Sequence, residues 1–170
     1  MESQLEMTIR EEPFLDYRFP IQQMSGANVN LVESLTVSHP MQTERDAENY
    51  NAVLGQVSMR MDEAIALSAR QAAKNIIPPK FILEATIRQM QSFADSAPAQ
   101  NPLVTTLTQK LAAIKNLSEA SRSALLADAE KTISAQVYPS WKRAIAQLQS
   151  QLPPSSDNAE LWNFKGGPEA

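Results

Sequence analysis

A chain of 170 residues, 43% hydrophobic and 20% charged, is long enough for one domain with a sizeable core and too apolar for disorder. A net charge of −4 and a pI near 5.1 argue against a nucleic-acid partner, which would want a basic face. There is no cysteine, so disulfides and thiolate ligands are excluded while the redox compartment stays open.

Residues 1–12 carry four glutamates and no apolar h-region, which predicts no signal peptide in this chain. No apolar run reaches the roughly 18 residues that a membrane span needs. Residues 2–11 read as a short amphipathic segment that Pro13 stops. Residues 14–24 read as extended or irregular: Pro20 follows Phe19, and the residue before a proline avoids the helical region. Ser25-Gly26 marks a turn. Residues 28–36 predict a short helix with Leu31, Val32 and Leu35 on one side, broken again at Ser38-His39-Pro40.

The next helix is the clearest at its start. Thr43 and Asp46 hold the positions of a capping box, although Glu or Gln would be the stronger partner. Ala47, Tyr50, Val53, Leu54, Val57, Met61, Ala64 and Ile65 follow at helical spacing. Ser68 weakens the stripe. The helix is expected to run to about Lys74, on the order of 45 Å at 1.5 Å per residue. Gly55 inside it costs roughly 1 kcal/mol relative to Ala, which points to a close helix crossing. Ile76-Ile77 packs the corner and Pro78-Pro79 ends it.

Pro79 then opens another helix, with Phe81, Ile82, Ala85, Met90 and Phe93 as its expected apolar side and Glu84 and Arg88 outside. Residues 96–100 form a loop. Asn101-Pro102 caps and starts a helix over residues 103–114, with Leu103, Leu107 and Leu111 at successive i+4 positions. Ser118 caps a last, long helix to residue 152. Its stripe is Leu126, Ala129, Ile133, Val137, Trp141, Ile145, Leu148 and Leu152. Pro139 falls within the stripe without disturbing its spacing, so a kink or tight break is expected there. No period-2 alternation predicts a strand.

Chemistry-bearing residues are sparse. His39 is the one histidine, in a loop before Pro40, and is expected to be solvated or bonded to a backbone group. Neither paired Glu-x-x-His helices nor a His-Glu-x-x-His helix can be built from one histidine. Glu2/Glu6 and Glu44/Glu48 sit at i,i+4, where helix-start charge explains them better than acid–base work. The basic spot of Lys131, Lys142 and Arg143 reads as a solvated helix face. No serine sits in a Gly-x-Ser-x-Gly elbow, and Gly26, Gly55, Gly166 and Gly167 form no phosphate loop. Met59, Met61 and Met90 read as core. Trp162 and Phe164, just before Gly166-Gly167, suggest a plug packed against a neighbouring surface. On these residues no catalytic, cofactor-binding or metal-binding residue is assigned.

Several short motifs occur in a particular order. Phe19-Pro20-Ile21-Gln22-Gln23-Met24-Ser25-Gly26 comes first, then Asp46-Ala47-Glu48-Asn49-Tyr50-Asn51-Ala52-Val53-Leu54, then Ile77-Pro78-Pro79-Lys80-Phe81-Ile82-Leu83. Asn101-Pro102-Leu103, Tyr138-Pro139-Ser140-Trp141 and Leu161-Trp162-Asn163-Phe164-Lys165-Gly166-Gly167 follow. This ordered set, spanning residues 14–167, resembles the N-terminal half of the bacterial family known as domain of unknown function 885. The resemblance implies an all-helical protein several hundred residues long, often exported or lipid-anchored, and similar to zinc metallopeptidases. It places the zinc-binding His-Glu-x-x-x-Gly-His-His-type helix in the C-terminal half, so no ligand or base is carried over to this chain. The family continues after Gly-Gly with a tyrosine, whereas Pro168-Glu169-Ala170 follows here.

The expectation is therefore an all-α, irregular bundle of about five to six helices with proline-punctuated connections. Residues 1–170 would form a single helical domain, a fragment or N-terminal half of a longer family protein: an excised segment, a split gene product or a degenerate relative. Its function would be to form part of the cleft wall of a zinc-dependent peptidase-like protein, with no cofactor in this chain and zinc implied only for the missing half. The alternative is a non-enzymatic helical module that binds a peptide or protein, or a structural bundle. Expected partners are the missing half, a second copy or a peptide, with no nucleic acid and no membrane span. The resemblance suggests a periplasmic or exported location.

Overall fold

The computed structural model describes residues 18–157. Its regular elements are all helical: α1 (Ala27–Glu33) running into a π-turn (Ser34–Ser38), α2 (Glu44–Leu54), α3 (Val57–Ala73) and α4 (Lys80–Ala94). A 3-10 turn (Pro98–Gln100), α5 (Pro102–Ala112), α6 (Glu119–Thr132), a second π-turn (Ile133–Val137) and α7 (Tyr138–Gln151) complete the order. The π-turns are continuous with their flanking helices, and only Gly55 and Gln56 separate α2 from α3. The described residues thus form the all-α bundle that the periodicity predicts.

The long rod of α6 and α7 organises the packing. Its α7 half lies against α3 and α4, and its α6 half against α2 and α5. α1 crosses α3, and the first π-turn rests on α5. One apolar core runs through all of them. Ala129, Ile133, Val137, Trp141, Ile145 and Leu148 are buried as expected, while Lys131 and Lys142 face solvent.

The caps explain where rods begin. Thr43 Oγ1 accepts from the Asp46 amide at 3.2 Å, and Asp46 Oδ2 accepts from the Thr43 amide at 2.8 Å, so Asp completes the capping box. Asn101 Oδ1 accepts from the Leu103 amide, with Pro102 in the first turn, and Ser118 Oγ accepts from the Ser121 amide.

Pro139 neither breaks nor ends its rod. Proline has no N–H for the i−4 carbonyl, and its ring crowds that carbonyl. The preceding turn widens instead: the Tyr138 amide reaches back to the Ile133 carbonyl, an i→i−5 bond. The rod absorbs the proline and keeps its buried stripe.

Four expectations need correction. Gly55 marks no close crossing, since a Cβ there would meet only the Ala52 and Asn51 carbonyl oxygens at 3.5 and 3.6 Å. The hydrogen-bond ladder changes there instead, with Gln56 N bonded to Val53 O, and the expected single helix becomes α2 and α3. α3 ends at Ala73 with Lys74 as its C-cap, close to the expected end near Lys74. Asn75 adopts a φ of 60°, Ile76 N bonds Gln71 O and Asn75 N bonds Ala72 O, a Schellman ending with Asn in the left-handed position.

The buried side of α4 is Leu83, Thr86, Ile87, Met90 and Ala94, and Phe81 is half exposed. Thr86 fits the core because its hydroxyl donates to the Ile82 carbonyl at 2.7 Å. Met59 is also half exposed, unlike Met61 and Met90. Residues 2–11 and 14–17, Glu2, Glu6, Trp162 and Phe164 lie outside the described residues.

Candidate functional site

An apolar groove of about 360 Å³ lies between the α1 rod and α4, lined mainly by Val29, Val32, Val37, Met90, Phe93 and Trp141. Trp141 forms its floor from α7 and is 1% exposed. The Phe93 ring stacks on it, centroids 4.9 Å apart and planes at 25°. Stacked aromatic pairs attract beyond their buried area, so Phe93 and Trp141 stabilise one another beneath the groove. Val37, at 72% exposure, stands on the rim.

The backbone around the groove is irregular twice over. The first π-turn supplies Thr36 and Val37 to the lip. The second ends one residue before α7, which carries Trp141. Such turns occur often at functional sites because they re-aim side chains without ending a helix.

A polar clamp closes one end. Asn28 Nδ2 donates to Gln89 Oε1 at 3.1 Å, joining α1 to α4, and Asn28 Oδ1 accepts from the Gln22 amide at 3.2 Å. Gly26 permits this approach: a Cβ there would collide with the Gln22 nitrogen and lie 2.6 Å from Asn28 Oδ1. Gln89 Nε2 also reaches the Gln23 carbonyl at 3.4 Å. The ordered run from Phe19 to Gly26 is thus the strap that fixes α1 against α4.

The singled-out polar residues lie elsewhere. His39 Nε2 is 3.0 Å from the Asp46 carbonyl oxygen, and its ring meets Tyr50 edge-on at 5.3 Å. That is the backbone-bonded state expected of it. Lys110 Nζ donates to the His39 carbonyl at 2.9 Å, tying α5 to the same loop. Tyr50 is fully buried, donates to the Leu103 carbonyl at 2.8 Å, and has its phenol pKa pushed up by desolvation.

Glu44 lies in the first turn of α2, where the helix dipole favours it, and with Glu48 and Asp128 it lines a shallow second depression of about 270 Å³. Arg143 makes a bidentate pair with Asp62 at 2.8 Å across α7 and α3, both half exposed, so the basic spot is partly neutralised. Among the described residues no three His, Cys, Asp or Glu side chains gather as metal ligands would. The described residues therefore offer no zinc-ligand set of their own.

The groove was not readable from spacing. Val29, Val32 and Val37 belong to a helix of seven residues and its π-turn, and they meet Phe93 and Trp141 only through the tertiary fold. The one sequence signal was the mixed apolar and polar character of α4, whose Gln89 interrupts an apolar face.

Comparison with known proteins places this geometry. The family model described as "Bacterial protein of unknown function (DUF885)" matches residues 1–170. No curated protein matches the chain. A solved structure described as "the putative lipoprotein from Colwellia psychrerythraea" superposes with a TM-score of 0.85 at 22% identity, over 89% of this chain and 26% of that one. At that identity the likeness concerns the fold, and this chain spans about a quarter of the longer protein. The ordered motifs and the family match agree over the whole chain, which belongs to the bacterial DUF885 family.

Proposed function

We propose that this chain forms one helical wall of a larger, exported, zinc-peptidase-like protein and carries none of its catalytic groups. The observation that supports this reading is the extent of the structural likeness. The fold superposes over 89% of this chain but on only 26% of a longer protein, which supports reading the bundle as part of a larger whole. The zinc and the groups around it would come from a polypeptide bearing the His-Glu-x-x-x-Gly-His-His-type helix. This chain would contribute an apolar face.

Co-expression tests the proposal. The chain alone and the chain paired with such a polypeptide are offered a mixed peptide library. Cleavage by the pair only, lost on chelation and regained with zinc, is the expected result. Failure of the two to associate, or an inert complex, would sink it.

The groove favours a second reading, a non-enzymatic module that holds an apolar side chain of a peptide. It lies at the small end of the roughly 300–1,000 Å³ typical of ligand pockets. That size suits one or two large side chains.

A further inference from the structure

The groove between α1 and α4 carries a charge that its apolar walls do not explain. Val29, Val32, Glu33, Thr36 and Val37 follow the i, i+3, i+4, i+7, i+8 spacing of one helix face. That face forms a wall of the open groove, and Glu33 stands in the middle of its three valines. The rim valine, Val37, is left largely in solvent.

The other polar groups of the lining are already engaged. Thr36 Oγ1 donates to the Val32 carbonyl at 2.9 Å, and Asn28 and Gln89 bond to one another and to the strap. The Glu33 carboxylate differs. Among the described residues it has no ion-pair partner, whereas Arg60 pairs with Glu63, Arg122 with Glu119 and Arg143 with Asp62. No lysine or arginine is among the described residues that line the groove, and the last turn of α1 holds no basic residue. A carboxylate beside apolar surface attracts a cation more strongly once an occupant displaces water, because screening falls with the local dielectric constant. A long basic side chain suits such a wall, with its stem along the valines and its head at the carboxylate.

We infer that the groove binds a peptide segment that presents a large apolar side chain to the Phe93–Trp141 floor and a neighbouring lysine or arginine to Glu33. This rests on the second reading above, in which the groove holds an apolar side chain of a peptide, and adds the charge that selects the peptide. An acidic neighbour in place of the basic one would meet a like charge at Glu33, so the carboxylate rejects as well as attracts. The chain's net charge of −4 acts in the same direction at longer range.

An NMR titration of the full chain at low salt tests the inference, with the backbone amides of Thr36 and Val37 as reporters. Three synthetic peptides are compared: acetyl-Gly-Leu-Lys-Gly-amide, its counterpart with Glu in place of Lys, and its counterpart with Ala in place of Leu. The Leu-Lys peptide is expected to shift both reporters and to bind at least about three-fold more tightly than either of the others. Glu33→Gln is expected to bring the Leu-Lys and Leu-Glu affinities within about two-fold of one another, with circular dichroism and melting unchanged. Raising the salt to about 0.5 M should narrow the same gap in the parent chain.

Equal affinity for the Leu-Lys and Leu-Glu peptides would overturn the inference and leave the apolar-groove reading standing. No reporter shift with any peptide at millimolar concentration would overturn both. An Ala-Lys peptide that binds as tightly as the Leu-Lys peptide would reduce the effect to a surface ion pair, and a preference for Lys that survives Glu33→Gln would place the cation elsewhere. Either result defeats the inference. So would reporter shifts that follow protein concentration without peptide, which would give the groove to a second copy.

Discussion

Phe93 and Trp141 stack at 4.9 Å, a contact between α4 and α7 that also forms the base of the groove. Trp141 faces the core from inside the long rod, and Phe93 bridges core and groove. The ring of Phe93 also meets Tyr138 edge-on at 6.3 Å, and the Tyr138 hydroxyl donates to the Ser96 carbonyl at 2.7 Å. The aromatic floor is thereby anchored to the loop that ends α4.

Trp141→Ala should destabilise the fold by about 3–5 kcal/mol, the usual range for deleting a buried aromatic ring. Urea unfolding followed by circular dichroism measures it. A loss below about 1 kcal/mol would mean that Trp141 is not part of the cooperative core. Trp141→Phe should cost less, since a ring remains to stack on Phe93.

The second stability prediction concerns the widened turn before Pro139. Ile133 is fully buried although it starts the π-turn. Ile133→Ala should cost roughly 2–5 kcal/mol, and Lys142→Ala, on the exposed side of the same rod, should stay within about 0.5 kcal/mol. Comparable effects at both positions would contradict the one-sided burial of the rod.

Much of the fold was legible because the long rod keeps one apolar stripe for eight turns and its caps are written in Thr43, Asn101 and Ser118. What escaped has a common physical cause: polar side chains whose hydrogen bonds are satisfied within the protein can occupy core positions. Thr86 does so by bonding Ile82, and Ser68 by pairing with Gln151 at 2.8 Å. Periodicity counts such residues as outside, and so it rotated the face of α4 towards Phe81 and let the stripe of α3 fade at Ser68. The groove was illegible for a different reason. Its walls are far apart in sequence and meet only through the tertiary fold.

Ser68 and Gln151 should behave as a coupled pair. Ser68 Oγ accepts from Gln151 Nε2 between the ends of α3 and α7, and both residues are buried. Ser68→Ala leaves a buried amide donor short of its partner, at a cost of about 1–3 kcal/mol. Ser68→Ala with Gln151→Leu should be less destabilising than the sum of the two single changes. Strict additivity in the double-mutant cycle would show that the pair does not interact.

The capping box gives a pH dependence with a definite sign. Asp46 has its carboxyl pKa held below the ordinary value, first by the Gln42 amide and then by the Thr43 hydroxyl and amide. The folded state therefore binds this proton less tightly than the unfolded chain. Its contribution is full above the unfolded value of about 4 and is lost as the pH falls through the lower folded value. Asp46→Asn should be less stable than the parent at pH 7, and the two should converge near pH 2. A gap of the same size at both pH values would remove Asp46 ionisation as the cause.

The last prediction concerns zinc. A protein zinc site usually takes three or four ligands, mainly Cys, His and carboxylate. This chain has one histidine and no cysteine, and the His39 Nε2 atom is engaged with the Asp46 carbonyl. Glu44, Glu48 and Asp128, which line a shallow depression, do not form a ligand cluster. The purified chain should therefore retain well under one zinc after dialysis, and chelation should leave its melting temperature unchanged. One zinc held tightly by a monomer, with a melting transition that falls on chelation, would overturn this and return metal chemistry to this chain itself. If the peptidase-wall reading is right, zinc should instead follow the polypeptide that carries the His-Glu-x-x-x-Gly-His-His-type helix, and pairing with this chain should not change the zinc count per complex.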